Sequence, residues 1–391
     1  MKVVDLRNVF ASCNDVLIEI SDHFIYYAEE KKEEGHNNLF ILEYNRVTRR
    51  ERIIANYFLS NPAFVQHFFS FPEDIIVVME SGESDAWILR IDKHTGAERN
   101  MATLNFIGGF SDCTALDESH LVIYTKENAQ HRALFEDYKK LTGFEKVAYL
   151  YDIDDEKYYY VRDPRVCTAD SAGLIPYEAD GQKQLLVLQP HGDEEEKEHC
   201  FRNIRWLGDN INDNVWLCPL FDFIVAVKTG EERAPLELIL SAGTPGLVRF
   251  AGMDGGSLYF RVKYFPTGDQ RICAYDKMTG KKSIVAELNL KEDEAPAMFS
   301  IDGSGARVYR ITEEEDGYRV DGVLNSEIHT RYSKELGEFF ACVDDRFLLA
   351  RYILADDKDS FEFNSVFDAQ TGTQKSYECS CAVQGGTVVL Y

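Results

Sequence analysis

One short pattern recurs along this chain and limits what the chain can fold into. Residues 268–290 read as an apolar strand ending at Tyr275-Asp276, a tight turn closed by Thr279-Gly280, and a second strand from Lys281. Such a turn needs a residue that bonds its own backbone at the start and one that tolerates positive φ at the end, and Asp and Gly fill those roles. The D-x-x-T-G pattern returns as Asp92 to Gly96 after an apolar run at 87–91, and as Asp368 to Gly372 after 365–367. The structural turn residues are therefore Asp92, Gly96, Asp276, Gly280, Asp368 and Gly372. Looser copies start at Asn45, Asp152 and Ala226, the last closed by Thr229-Gly230.

The spacing of these turns predicts the architecture. Asn45 to Asp92 is 47 residues and Ala226 to Asp276 is 50. Asp276 to Asp368 is 92, or two steps of 46, with a degenerate turn at 324–326 between them. A period of about 40–50 residues carrying four strands predicts an all-β protein, a β-propeller of four-stranded antiparallel blades. One blade cannot cover both faces of its own sheet, so neighbours must stack. A β-sandwich would supply similar turns but not a constant period.

The step from 92 to 152 is longer, and a helix at 128–142 accounts for it. Asn128 caps that helix, Gly143 ends it, and Leu134, Phe135, Tyr138 and Leu141 share one face. The stretch 152–226 reads as two tight blades, with strands at 165–169, 174–177, 184–189, 200–206, 215–220 and 223–227. That makes eight blades, with seven as the alternative. The charged insert at 29–38 reads as an exposed loop. Strands at 381–383 and 387–391 are expected to pair with residues 3–9, closing a single domain over 1–391, because open sheet edges invite aggregation.

The unit resembles the bacterial YVTN-type and quinoprotein-like propeller repeats, where an apolar strand ends in Asp and a Thr-Gly turn leads into the next strand. Residues 271–287 carry the resemblance best, then 87–104 and 362–379. It implies the fold and no functional residue. There is no W-D dipeptide as in WD40 repeats, and the Gly pairs at 108–109, 255–256 and 385–386 are not phased as in kelch repeats.

Composition narrows the partners. With 67 acidic and 42 basic residues the net charge is −25, which argues against nucleic acid and anionic membranes and for cationic partners. The nine cysteines include no C-x-x-C pair and read as reduced thiols of a cytoplasmic protein. The first residues contain no apolar signal-peptide core, and no run is long enough to span a bilayer. A monomer is expected.

The chemistry is less legible. No nucleophile elbow, Walker motif or dinucleotide fingerprint is present, and the residues point to no particular cofactor or metal. His191, His199 and Cys200 lack zinc spacing. The loops between second and third strands are acidic. The group Glu80, Glu83 and Asp85, the run Glu313, Glu314, Glu315 and Asp316, and the group Asp356, Asp357 and Asp359 define a candidate acidic face. One reading is a non-catalytic interaction or ligand-binding scaffold that takes a cationic partner there, with the plain solvation of acidic loops as the other account of the same residues. The alternative is a propeller enzyme of the metal-dependent hydrolase or lactonase type, with carboxylates from several inner strands.

Overall fold

The computed structural model describes residues 1–7, 16–33, 36–60, 64–81, 85–104, 108–142, 146–169, 173–190, 212–241, 246–264, 270–288, 297–302, 305–355, 360–384 and 387–391. The protein is an all-β propeller with eight blades. Seven are four-stranded antiparallel meanders in chain order, and the eighth is a three-stranded sheet among the described residues. The blades run through 16–60, 64–104, 109–160, 174–241, 246–288, 297–333 and 338–378. In the eighth, Lys2–Asp5 pairs in parallel with Thr387–Leu390, which turns back on Cys381–Gln384.

The stacking explains why the second strand of blade two is apolar on both faces. In blade two, Ile75, Val77 and Met79 pack with blade one, while Ile76 and Val78 pack with blade three. Alternate side chains point to opposite faces of a strand, and here both faces are covered. Blades three and four share a core in the same way, as do blades six and seven, and blades seven and eight. The first strands of consecutive blades approach one another in blades one and two, five and six, and six and seven. The first strand is therefore the inner one. The chain divides into two compact units, one holding blades one to three and most of blade four, the other holding blades five to eight.

The recurring turn is one device repeated. Asp92 Oδ1 accepts the amides of His94 and Thr95 at 2.9 and 2.8 Å. Asp276 does the same for Met278 and Thr279, Asn45 for Val47 and Thr48, and Asp152 for Asp154 and Asp155. The next residue donates its backbone N–H to the turn between strands one and two of its own blade: Lys93 to Glu73, Lys277 to Gly256, Ala369 to Arg346, Arg46 to His23 and Ile153 to Ser119. In these five blades both turns at one end are thereby locked together.

Several expectations are corrected. The turn expected at Ala226 is the interior of a helix, Leu220–Thr229, and Gly230 is its left-handed C-terminal residue at φ 78°. Leu220, Phe223, Ile224 and Val227 are its buried residues, a spacing of three and four that belongs to a helix. The β-branched composition of 223–227 suggested a strand, and the period decides otherwise. Residues Pro164–Cys167 also form a helical turn, with Pro164 in its first turn and Asp163 as its cap. Beyond the last strand of blade three, residues up to 241 thus hold one blade, and the terminal sheet supplies the eighth. The strand expected at 200–206 lies outside the described residues.

The helix of blade three spans Arg132–Thr142, between the second and third strands as expected. Asn128 accepts the amide of His131 rather than opening the helix itself. Phe135 is buried against Val147 and Tyr149, with Tyr138 packed beside it, while Leu134 faces solvent. The insert at 29–38 is a long hairpin, paired out to Glu33 and His36. Among the described residues no helix is long and apolar enough to cross a membrane.

Candidate functional site

The inner strands carry a feature the repeat does not reveal. The first strands of blades one, two, three, five and seven each contain a register shift, between Leu17 and Glu19, Val65 and His67, Phe110 and Asp112, Phe250 and Gly252, and Phe339 and Ala341. A bulge re-aims the side chain that follows it. In blades one to three that residue is Glu19, His67 or Asp112; in blades five and seven it is Gly252 or Ala341.

Counting back from the first turn, His67 and Asp112 stand at equivalent positions, paired with Val78 and Tyr124 of their second strands. Val78 belongs to the core shared with blade three, so His67 looks across to that blade. Its Nε2 lies 3.0 Å from Asp112 Oδ1, and both side chains are about 30% exposed. The His67 ring stacks on Phe69 at 5.8 Å, and the Cys113 amide donates to Asp112 Oδ1 at 2.8 Å. Glu19 sits nearer the turn and faces blade two. There it accepts Ser70 Oγ and the buried Lys93 Nζ, each at 2.5 Å. Lys93 lies 4.8 Å from the Tyr26 ring, so its charge is met by a carboxylate and an aromatic face. The arrangement can hold a hydrogen-bond donor or a cation at the inner edge of blades one to three.

The turn residues are structural. Asp92 accepts Arg99 as well as its turn amides, and Asp368 is gripped by Arg346 through Nε at 2.8 Å and Nη2 at 2.5 Å. Those bonds hold both carboxyls far below the usual range. The bonds of Thr279 lower Asp276 as well. Gly96, Gly280 and Gly372 all have φ near +70°. A depressed carboxyl stabilises the fold above its ordinary pKa of about 4 and loses that contribution as pH falls through the folded value. Asp92→Asn should therefore lose stability less steeply than the wild type between about pH 5 and pH 2. Urea midpoints measured across that range check this, and parallel curves would contradict it.

The acidic groups are dispersed in role. Glu80 accepts Gln66 Nε2 at 2.7 Å. Asp85 opens the third strand of blade two, paired with Ser81. Glu313 meets Lys334 at 2.8 Å, and Glu314 meets Arg331 at 2.9 Å and Arg319 at 3.5 Å. Three cations thus partly offset the four carboxylates Glu313, Glu314, Glu315 and Asp316. Glu83, Asp356, Asp357, Asp359, His191, His199 and Cys200 lie outside the described residues. Among the described residues no three His, Cys, Asp or Glu side chains are grouped to hold a metal ion. Burial pushes the thiols up, Cys167, Cys218 and Cys381 to about 12 and Cys342 to about 11, which keeps them protonated and poor nucleophiles. Sequence reasoning missed Glu19, His67 and Asp112. Their only signal was polar residues inside otherwise apolar first strands.

No family model and no curated protein matches the chain. Solved structures similar to it include an uncharacterized protein, lmo1340, of Listeria monocytogenes, at 11% identity over 93% of each chain with a TM-score of 0.47. An oligogalacturonate lyase of Vibrio parahaemolyticus is 12% identical over 96% of this chain and 83% of its own, TM-score 0.42. The β-propeller domain of the Trilobed protease of Pyrococcus furiosus is 13% identical over 92% and 94%, TM-score 0.42. No activity transfers at such distances.

Proposed function

We propose that the protein is a non-catalytic, cytoplasmic propeller that binds a cationic ligand or a basic side chain of a protein partner. The binding groups are Glu19, His67 and Asp112 at the inner edge of blades one to three, and the acidic loops raise the local concentration of cations. The observation that carries this reading is the His67–Asp112 contact. Two equivalent inner positions of neighbouring blades, each beyond a bulge, bring together an imidazole that donates through Nε2 and a carboxylate that accepts it, both partly open to solvent.

Isothermal titration with tetralysine at low and high salt tests the reading. Binding that weakens with salt, and weakens about tenfold or more in folded Asp112→Asn, on the scale of one hydrogen bond to a charged group, is expected. Absence of binding at low salt, or binding indifferent to both Asp112→Asn and Glu19→Gln, would refute it.

The same contact favours a second reading. A carboxylate that orients an imidazole is the arrangement of a general base, so a hydrolytic enzyme using His67 would show turnover abolished by His67→Ala with binding retained.

A further inference from the structure

The last strand of blade one, Arg50–Ser60, has 11 residues, whereas the described last strands of blades two, three, five, six and seven have 4 to 7. Among the described residues the sheet of blade one ends there, so one row of its backbone N–H and C=O groups faces outward. Such edges are ordinarily blunted by shortness, proline, charge or a bulge. This strand has a bulge opposite Ile41 and Leu42 but no proline, and its charges, Arg50, Glu51 and Arg52, are gathered in its first three residues. Phe58, Asn56 and Ile53 lie opposite Asn38, Phe40 and Leu42, alternate residues of the neighbouring strand, and so share one face. Phe58 is 67% exposed and Ile53 56%, and the His36 ring stacks on Phe58 at 4.3 Å. Ile54, Ala55, Tyr57 and Leu59 instead pack in the core shared with blade two.

The turn that leads into this strand is basic. Arg46, Arg49, Arg50 and Arg52 fall close together in a chain whose net charge is −25. Arg52 is held by Glu43 and by the carbonyls of Lys93 and His94, and Glu51 accepts the Tyr27 hydroxyl. Arg49 and Arg50 are exposed, and neither side chain has a hydrogen bond or ion pair among the described residues. Val47, in the same turn, is 73% exposed. We propose that the outer edge of blade one receives an extended, acidic segment of a protein partner. The segment adds a strand along Arg50–Ser60, with apolar side chains over Ile53 and Phe58 and carboxylates at Arg49 and Arg50. In strand addition the main-chain bonds supply affinity and alternate side chains supply selectivity. The uncharged length of the edge offers the first, and the two arginines at one end offer the second. This surface is separate from the cation-binding edge of blades one to three and stands without it.

Fluorescence anisotropy of the whole protein with a labelled peptide of alternating Glu and Val tests the proposal. Saturable binding is expected, and a peptide of alternating Thr and Val should bind more weakly. Arg49→Gly and Arg50→Gln should each weaken the acidic peptide about two- to fivefold, the range of an exposed ion pair, and leave the neutral one unchanged. Phe58→Asn should weaken both about tenfold, on the scale of a buried aromatic side chain. Arg49 stands at φ 56° where Gly96, Gly280 and Gly372 stand near +70°. Glycine suits that backbone, so Arg49→Gly should lose binding without losing Tm, which separates recognition from folding. An acidic peptide methylated at alternate backbone nitrogens cannot pair with the edge and should not bind. No binding of the acidic peptide, equal binding of its methylated form, or folded arginine variants with wild-type affinity would each overturn the proposal. Two other outcomes would replace the occupant and so overturn it as well: binding to phosphatidylserine vesicles without binding to the peptide, and a dimer of the protein alone that Phe58→Asn dissociates.

Discussion

Arg165→Ala should cost roughly 3–5 kcal/mol of unfolding free energy, the range for breaking a buried ion pair from one side. Asp163 is 2% exposed. Its Oδ1 accepts the amide and Nε of Arg165 at 3.0 and 2.9 Å, and its Oδ2 accepts Arg165 Nη2 at 2.6 Å and the Ala234 amide at 2.8 Å. Arg165 also donates to the carbonyls of Ala234 and Leu236, at 2.7 and 3.2 Å, and lies 4.8 Å above the Trp216 ring. The pair thus clasps the link from blade three to the segment that follows the helix of blade four. Truncating the arginine leaves a carboxylate buried without its countercharge and two carbonyls without their donor. Urea unfolding followed by tryptophan fluorescence measures the loss. The double variant Asp163→Ala/Arg165→Ala should lose less than the sum of the singles, because both remove one interaction. A single-variant loss within about 0.5 kcal/mol, the range of an ordinary surface change, would show that the clasp is not holding the link.

Gly96→Ala and Gly372→Ala should differ sharply although the two glycines occupy the same place in the repeat. Both have φ near +70°, so each alanine carries the left-handed cost of about 1–2 kcal/mol. At Gly372 a Cβ meets nothing within 4 Å, and that cost is the whole effect. At Gly96 the Cβ would lie 2.0 Å from the Ile54 carbonyl oxygen, in the last strand of blade one. That strand is tied to the same turn by Arg52, which donates to the carbonyls of His94 and Lys93 at 2.9 and 3.3 Å. The strand must move, adding about 1–3 kcal/mol on the scale of overpacking. Equal Tm losses in the two variants would contradict the close approach between blades one and two.

Much of the architecture was legible because it rests on local backbone chemistry. Asp92, Asp276 and Asp368 bond the amides just beyond them whatever surrounds the blade, so the pattern survives in sequence. Ala226 misled for a physical reason. A Thr-Gly ending closes a helix as readily as a hairpin, since both need a left-handed residue. Only the spacing of Leu220, Phe223, Ile224 and Val227 separates the two. The candidate site was illegible because it is a product of stacking. His67 and Asp112 are 45 residues apart and meet only where two bulged inner strands converge.

The eighth sheet pairs the first described strand with the last. Among the described residues the bonds between Lys2–Asp5 and Thr387–Leu390 have the largest sequence separation, and the entropy of closing so long a loop opposes them most. Their formation should therefore come late, after the meanders built from neighbouring strands. Until then these strands present unpaired edges to whatever other chains are near, so crowding during refolding should penalise this protein through its eighth sheet.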